Sequence, residues 1–477
     1  TLATNAIVEG QGRPICLLLI GYDADLLGEL TSDQIIPRER VVLIRGGHDG
    51  AGVETAPLDA DAAREAILDQ APDVDAYAVS GYFGVRNPAH ELAVRQLARE
   101  LTGKPVTCGH ELTTRLNAPR RALTTALNAR LIPLLQELVV TVRETLAERG
   151  IDAPLMVVKG DGSLIDAEMA IERPVETILS GPAASVVGAH HHADVEEAFV
   201  IDMGGTTTDV ISMRDGRPAL DSKGARIGDL QIMVEAIDAH TVGLGGDSEI
   251  RLDESGDLIA GPRRVVPLCL LAQQHPSVLS TLQQEVDRTI DEVEASRQGD
   301  RASFILRQRQ LLDGQGGLAP RQREVWDSLE DGPVSLSRLL REVEHPALYR
   351  ECVSQLIAVG LVVVGSFTPT DAVHVLGRYD RWSVEAARLG ATLWARRFEI
   401  DAEQFSENVV RQVEIQLGRV VISSALAEEA APMPTAGDGV GQLFIDRALR
   451  ADGGGSFSVS VDMQRPLVAI GAPVGSY

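Results

Sequence analysis

The chain has 477 residues, long enough for two or three domains, and its hydrophobic fraction of 44% is ordinary for a globular protein. Acidic residues outnumber basic ones by 69 to 44, and the formal charge of −25 disfavours nucleic acid as a partner. The four cysteines are far apart and form no CxxC pair, so we expect neither disulfides nor a zinc cluster. The apolar runs are too short or too interrupted to span a bilayer, which predicts no membrane partner and a cytoplasmic location.

The first part of the chain alternates short apolar runs with amphipathic segments, a pattern typical of an α/β sheet. Strands are predicted at 15–20, 41–44, 76–79 and 155–158, and the longest helix at about 119–149. The histidines at 190–192 lack a second cluster at metal-site spacing, so we expect them in a solvated linker. These features predict a first domain at 1–192 and a second α/β domain at 193–477.

A mostly helical insertion is predicted at about 270–360, where Gln, Arg, Glu and Leu are common and β-branched residues are few. Residues 316–365 have the pattern helix, short extended piece, helix, helix, strand, an order similar to that of a winged helix. DNA binding is therefore an alternative for this segment. Its acidic residues offset the arginines, which favours a structural insertion.

The sequence "DMGGTTTD" at 202–209 follows a buried-looking strand and precedes a second one. Its glycines allow a ligand to approach the backbone, and consecutive N–H groups in such a turn bind anions. The two carboxylates would repel a phosphate unless a divalent cation lies between them, and Mg²⁺ prefers such oxygen ligands. Asp202 and Asp209 are therefore predicted as catalytic residues and as ligands of Mg²⁺, with Mn²⁺ as the alternative. The predicted phosphate-binding residues are Gly204, Gly205, Thr206, Thr207 and Thr208.

A glycine-rich hairpin with surface threonines is the alternative interpretation of this loop. A bare GGT would favour that interpretation, but the complete D-x-G-G-T-T-T-D pattern, led by a buried strand and closed by a hairpin turn, is much more specific and favours phosphate binding. An Asp215-Gly216 turn is predicted to close the returning strand.

A second glycine cluster lies in "IDAHTVGLGGDSEIRLDESG", residues 237–256. It predicts further phosphate contacts at Gly243, Gly245 and Gly246. Asp238 precedes His240 by two residues and could orient it as a catalytic base or as a ligand, although alternating residues of a strand share one face and the spacing is also expected by chance. Near the end of the sequence, a strand at 468–470 leads to small residues suited to the flat face of adenosine, namely Gly471, Ala472 and Pro473.

Several segments are similar to motifs of one enzyme family. They are "TLATNAIVEGQG" (1–12), "VSGYFGVRNPAHELAVRQL" (79–97), "RRALTTALNARLIP" (120–133), "ILSGPAASVVGA" (178–189) and the two glycine clusters. On these residues the chain resembles the A-type subunit of the ATP-dependent hydantoinase/5-oxoprolinase family, within the actin-like ATPase superfamily. The matched motif positions are candidates for substrate or metal binding: Asn5, Asn87, His90, Glu91 and Asp238.

This resemblance implies an α/β fold of two RNase H-like (actin-like ATPase) domains, with the helical insertion added to the second. It implies an enzyme that uses ATP and Mg²⁺ to phosphorylate the oxygen of a cyclic amide, such as a hydantoin, 5-oxoproline or a related lactam, before hydrolysis. A B-type subunit is the implied partner. The alternatives are a subunit of an ATP-dependent ketone carboxylase, a nucleotide-binding regulator on the same scaffold, and a structural subunit without nucleotide.

The sequence departs from the family pattern in two respects. Asp247 stands where the family has a glycine, and a carboxylate facing a phosphate is unfavourable without a cation. The resemblance also implies a first phosphate loop before Thr1 and a helix after Tyr477, so we expect that the sequence is trimmed at both ends.

Overall fold

The computed structural model describes residues 3, 6–7, 12–26, 36–227, 230–253, 255–288, 298–309, 317–429, 439–449 and 458–471. The chain divides into two compact units. The first comprises Thr1–Ala198 and Ile211–Ala239, and the second comprises Phe199–Val210 and His240–Tyr477. The domain boundary expected after residue 192 stays a prediction.

The first unit is built on a parallel sheet of four strands, in the order Val41–Ile44, Ile15–Ile20, Ala76–Gly81, Val106–Cys108. The strand Ile15–Ile20 is buried at every position, as expected for a parallel strand covered on both faces. Its alternate residues join two separate hydrophobic clusters, one on each face of the sheet. Three of the four strand predictions are confirmed in this sheet.

The fourth predicted strand is found outside that sheet. Met156–Val158 pairs antiparallel with Leu164–Asp166. The other short strands of this unit are Gly47–His48, Glu54–Ala56, Arg217–Pro218, Arg226–Ile227 and Leu230–Gln231. Its helices are Ala24–Leu26, Arg38–Arg40, Ala60–Gln70, Ala89–Thr102, Gly109–Leu112, Ala118–Glu148, Ala167–Glu172, Pro174–Thr177 and Ser180–Ala193.

The long helix predicted at about 119–149 is confirmed as Ala118–Glu148. By length and composition it is apolar enough to cross a membrane, but 50% of its most apolar window is buried inside the protein, as in a core helix. The linker predicted at 190–192 is wrong, because these histidines form the last turn of the helix Ser180–Ala193. Histidines suit that position, since the carbonyl end of a helix favours positive charge and hydrogen-bond donors.

The strand Thr208–Arg214, which follows the first glycine cluster, is divided between the units. Its residues up to Val210 belong to the second unit, and those from Ile211 belong to the first. This strand belongs to a five-stranded sheet. Four of the strands follow one another in the order Arg217–Pro218, Thr208–Arg214, Ala198–Met203, Leu467–Ile470. The fifth strand, Ala239–Val242, also pairs with Thr208–Arg214. The Asp215-Gly216 turn is confirmed: both residues have positive φ, and Arg214 pairs with Arg217 across it. The strand predicted at 468–470 is confirmed as Leu467–Ile470, parallel to Ala198–Met203.

The remainder of the second unit combines a hairpin, a small mixed sheet and a helical layer. The hairpin pairs Ser248–Leu252 with Leu258–Arg264. The mixed sheet has the order Val266–Pro267, Val362–Ser366, Phe304–Arg307, Val334–Ser335. The helices are Leu268–Gln274, Ser277–Asp287, Gln298–Arg301, Pro320–Ser328, Leu336–Arg341, Pro346–Ala358, Pro369–Val375, Val384–Ala395, Arg396–Phe398, Ala402–Glu428 and Gly439–Leu449.

The element order predicted for 316–365 is confirmed. It runs Pro320–Ser328, Val334–Ser335, Leu336–Arg341, Pro346–Ala358, Val362–Ser366. The four cysteines are free, as expected, and three of them are buried.

Candidate functional site

The predicted phosphate loop is a tight turn at the end of the buried strand Ala198–Met203. The Gly204 N–H donates to the carbonyl of Thr207 at 2.9 Å, which closes the turn. Thr208 is fully buried, and its hydroxyl donates to the carbonyl of Leu244 at 2.6 Å. The hydrogen bond from Thr208 therefore ties this loop to the second glycine cluster. The side chain of Thr206, in contrast, is exposed.

The two glycine clusters interlock through their backbones within the second unit. The N–H of Gly246 donates to the Gly204 carbonyl at 3.1 Å, and the N–H of Asp247 donates to the Gly205 carbonyl at 2.8 Å. A Cβ atom added to Gly245 would lie 2.5 Å from the Gly205 carbonyl, closer than real contacts allow. The approach of these segments thus requires glycine at 245.

A pair of carboxylates accompanies the loop. Thr241 Oγ1 donates to Asp209 Oδ1 at 2.5 Å. Burial raises the pKa of Asp209; the Thr241 hydrogen bond opposes this, and the negative charge of Asp202 raises it further. Two carboxylates that repel one another beside a cradle of glycine backbone fit a divalent cation and a phosphate group. These residues would hold Mg²⁺ and the phosphates of ATP.

The unexpected carboxylate of Asp247 has its own counter-charge. Arg264 donates to Asp247 Oδ2 from Nη2 at 3.0 Å and from Nε at 3.2 Å. Burial raises the pKa of Asp247, and Arg264 opposes that shift. A Cβ on Gly205 would lie 2.7 Å from the same carboxylate oxygen. The Asp247–Arg264 pair therefore takes space beside the loop without adding a net negative charge.

The predicted adenosine turn begins at Gly471, which has φ +110°, a value that favours glycine. A Cβ there would lie 2.1 Å from the Met203 carbonyl oxygen and 3.2 Å from Asp202 Oδ1. Gly471 thus lies directly beside the end of the loop strand. Ala472, Pro473 and Asn5 lie outside the described residues.

The predicted pair of Asp238 and His240 falls at the division between the units, with Asp238 in the first and His240 in the second. The Asp238 N–H donates to the carbonyl of Ala219 at 2.8 Å. His240 lies in the strand Ala239–Val242 and is partly exposed. A catalytic role for this pair stays a prediction.

The candidates from the 79–97 motif hold the backbone of the first unit in place. Asn87 accepts from the Ala89 N–H at 3.1 Å and donates to the Gly52 carbonyl at 3.0 Å. His90 accepts at Nδ1 from the Gly47 N–H at 3.1 Å, and its Nε2 lies 3.0 Å from a carboxylate oxygen of Glu54. These contacts position the helix Ala89–Thr102.

Glu91 has a partner that the sequence analysis did not identify. Its carboxylate is fully buried and accepts from the Gly81 N–H at 2.7 Å and from the His110 N–H at 3.1 Å. Its Oε2 also lies 2.5 Å from Nδ1 of His110. The signal available in the sequence was the His-Glu pair at 110–111, directly after Gly109. This pair has neither the spacing of metal ligands nor a neighbouring glycine cluster, so the sequence alone did not mark it as a candidate site.

The ligand atoms of Glu91, His110 and Cys108 lie within 4.8 Å of one another and could hold a metal ion. Burial, followed by the charge of Glu91, raises the pKa of the Cys108 thiol well above its usual range. The protonated thiol donates to the Glu91 carbonyl at 3.6 Å. These contacts favour a hydrogen-bonded cluster over a metal centre.

His110 also lines a cavity of about 280 Å³ within the first unit. Lys159 lies on its wall and pairs at 3.2 Å with Asp161 and with Glu176. The cavity is therefore polar, with a carboxylate-oriented histidine at one side. A histidine held in this way can exchange a proton with a bound molecule through its other ring nitrogen.

Solved structures define the class of fold. A nucleotide-free acetone carboxylase superposes with a TM-score of 0.55 and 18% identity, covering 90% of this chain and 54% of that one. An ATP-dependent caprolactamase from Pseudomonas jessenii superposes with a TM-score of 0.57 and 21% identity, covering 91% and 54%. The chain therefore has the mixed α/β fold of these two enzymes, and the predicted α/β fold is confirmed.

Sequence comparison then identifies the family. The hydantoinase/oxoprolinase N-terminal region matches residues 1–102, and the hydantoinase/oxoprolinase domain matches residues 121–267. The chain belongs to the hydantoinase/oxoprolinase family.

Curated relatives match over part of their length. Caprolactamase subunit alpha of Pseudomonas jessenii is 30% identical over 284 residues, which is 55% of this chain and 40% of that protein. The acetophenone carboxylase gamma subunit of Aromatoleum aromaticum is 26% identical over 305 residues, 55% of this chain and 40% of that protein. A 5-oxoprolinase of Dictyostelium discoideum is 31% identical over 193 residues, 37% of this chain and 15% of that protein. The matched region spans less than half of each of these relatives.

Proposed function

We propose that the chain is the ATP-using subunit of a cyclic-amide hydrolase that acts on a hydantoin, 5-oxoproline or a related lactam. The observation that carries this proposal is the interlock of the two glycine clusters beside Asp202 and Asp209. A Cβ at 245 would collide with the neighbouring loop, so the close approach is built into the sequence. The caprolactamase and 5-oxoprolinase relatives support the choice of substrate class.

In this proposal the bound ATP supplies a phosphoryl group that turns the amide oxygen of the substrate into a leaving group. The carboxylates of Asp202 and Asp209 would hold Mg²⁺, which would neutralise the charge of the phosphates, and the loop backbone would position those phosphates. Thr241 fixes the orientation of the Asp209 carboxylate by its hydrogen bond. His240 is the proposed proton acceptor in the second unit. In the first unit His110, oriented by Glu91, is a further candidate for proton transfer.

The relatives named as subunits support a multi-subunit enzyme, and a B-type subunit is the proposed partner. The proposed location is the cytoplasm, where ATP is available and free cysteines stay reduced.

The test is phosphate release from ATP with the full chain and its B-type partner. Hydantoin, 5-oxoproline and caprolactam are offered in turn, and the open-chain product is measured beside phosphate. We expect one lactam to stimulate release and to be hydrolysed in proportion. Asp209→Asn should abolish both activities, whereas the matched control Asp215→Asn, in the exposed hairpin turn, should keep them. Normal turnover in Asp209→Asn would overturn the assignment of this loop.

A ketone carboxylase subunit is the second candidate, because the acetophenone carboxylase gamma subunit and acetone carboxylase are both similar to this chain. The same assay separates the two functions. A carboxylase consumes ATP only when bicarbonate and a ketone are present together, and it is indifferent to the lactams.

A further inference from the structure

The polar cavity of about 280 Å³ in the first unit has the size and the chemistry of a binding site. Every residue on its wall belongs to that unit. Its volume lies just below the range of about 300–1,000 Å³ that is usual for drug-sized ligands, so it suits a single small ring. We propose that this cavity binds an uncharged cyclic amide, with His110 as the acceptor for its N–H and Lys159 as the donor to its C=O. The choice of a cyclic amide rests on the proposed function.

His110 presents a hydrogen-bond acceptor to the cavity. The Glu91 carboxylate can only accept, and it lies 2.5 Å from Nδ1 of His110, so Nδ1 carries the proton of the neutral ring. Nε2 is therefore the acceptor. In the described part of the chain Nε2 has no hydrogen-bond partner, and it is not one of the enclosed polar atoms that lack one. The side chain is 19% exposed, so Nε2 is open to a ligand.

Lys159 supplies a donor on the same wall. Its ammonium group lies 3.2 Å from a carboxylate oxygen of Asp161 and 3.2 Å from one of Glu176. Burial lowers the pKa of Lys159, but the hydrogen bonds and charges of these two carboxylates outweigh burial and raise the pKa overall. Lys159 therefore stays charged at neutral pH. An ammonium group has three N–H donors, and the two carboxylates use two of them, which leaves one for a ligand carbonyl.

The charges on the wall favour a neutral ligand. Besides His110, the wall carries three acidic residues and two basic ones. Lys159 is already paired, and Glu111 forms an ion pair with Arg95. The exposed residues Arg115 and Glu235 have opposite charges. The wall therefore has no surplus of positive charge that would attract an anion, and a carboxylate on the ring should weaken binding.

An acceptor and a donor in one cavity match one edge of a ring amide. Closure of a small ring forces the amide into the cis form, which places N–H and C=O side by side. An open-chain secondary amide is trans and points the two groups in opposite directions. Leu112, Met233 and Val234 also line the cavity and are mostly buried, so they would cover the methylene groups of the ring.

Binding to the wild-type chain, measured by calorimetry without ATP, tests the proposal with two matched pairs of ligands. Caprolactam is compared with ε-caprolactone, which has the same ring and carbonyl but an oxygen in place of N–H. We expect caprolactam to bind with a dissociation constant of about 1 mM or lower, and the lactone at least about tenfold more weakly. 2-Pyrrolidone is compared with 5-oxoproline, the same ring with a carboxylate, which should bind more weakly. The trans amide N-methylacetamide should not bind measurably.

Two histidine variants locate the site. His110→Leu should weaken binding of caprolactam by about tenfold or more, because it removes the acceptor. His192→Leu makes the same substitution at an exposed position outside the cavity and should leave binding unchanged. The ligand pairs use the wild-type chain, so they decide the question even if His110→Leu does not fold.

The proposal is overturned if neither lactam binds, if ε-caprolactone binds as well as caprolactam, if 5-oxoproline binds more tightly than 2-pyrrolidone, or if the two histidine variants weaken binding equally. The proposed function can fail separately. Lactams that bind as expected but are not hydrolysed with ATP and the partner subunit would overturn that function and support this site. Hydrolysis of a lactam with an unchanged KM in His110→Leu would support the function and overturn this site.

Discussion

Glu91 and His110 form a hydrogen-bonded pair in the first unit, with Oε2 of Glu91 lying 2.5 Å from Nδ1 of His110. The two residues are 19 positions apart, on different elements. The helix Ala89–Thr102 carries Glu91 under the end of the strand Ala76–Gly81, where the Gly81 N–H also binds its carboxylate. One buried carboxylate thus joins a strand end, a helix and a histidine on a cavity wall.

We expect Glu91→Gln to destabilise the protein by about 1–3 kcal/mol, because the amide places a second donor among groups that already donate. Urea denaturation of the variant and the wild type measures this difference. The matched control is Glu54→Gln, whose half-exposed side chain contacts His90 and should cost less than about 0.5 kcal/mol. Equal losses in the two variants would contradict a special role for the buried pair.

Asp209→Asn should raise the melting temperature of the protein at neutral pH when no Mg²⁺ or nucleotide is present. Burial raises the pKa of Asp209, so the native state holds this proton more tightly than the unfolded chain does. Ionisation of Asp209 therefore costs stability above its raised pKa. The cost disappears below the ordinary pKa of an aspartate, where both states are protonated.

Differential scanning calorimetry across pH checks this expectation. The variant should melt above the wild type at neutral pH, and the two curves should converge as the pH falls. Thr241 can still donate to the Asn oxygen, so no contact is lost that would mask the effect. A variant that melts below the wild type at neutral pH would contradict burial of an ionised carboxylate at this position.

Gly245→Ala should destabilise the second unit and weaken binding of an ATP analogue by about tenfold or more. The added methyl group would lie 2.5 Å from the backbone of Gly205 and 2.7 Å from the Gly204 carbonyl oxygen, and neither group can rotate away. Calorimetric titration with a nonhydrolysable analogue and Mg²⁺ measures the loss. Gly188→Ala is the control, because a Cβ there meets nothing within 4 Å, and helix propensity predicts a small gain in stability.

Arg264→Gln should weaken binding of the same analogue by about tenfold, since it leaves the Asp247 carboxylate beside the loop without its counter-charge. Removing both charges in Asp247→Gly/Arg264→Gln should restore most of the affinity. The double-mutant cycle gives the coupling energy between the two side chains. Additive effects would show that Arg264 acts on the site independently of Asp247.

Local patterns were sufficient to predict the regular elements of this chain. The buried run Ile15–Ile20, the long helix Ala118–Glu148 and the Asp215-Gly216 turn all follow from periodicity and turn chemistry, and each is confirmed. The prediction of a linker at 190–192 was wrong, because those residues continue a helix that the preceding residues already form. The strand predicted at 155–158 is confirmed as Met156–Val158, but its antiparallel partner Leu164–Asp166 could not be read from the local pattern.

The sequence by itself determined the chemistry of the candidate site: glycines that permit close backbone approach, and carboxylates that call for a cation. It also determined the family, because the motifs are distinctive in residue type and spacing. Only the tertiary structure decided which groups meet. Three contacts join distant parts of the sequence: the close backbone approach of Gly205 and Gly245, the ion pair of Asp247 with Arg264, and the hydrogen bond of Glu91 with His110. Such contacts depend on packing and backbone direction, which residue type and local spacing do not encode.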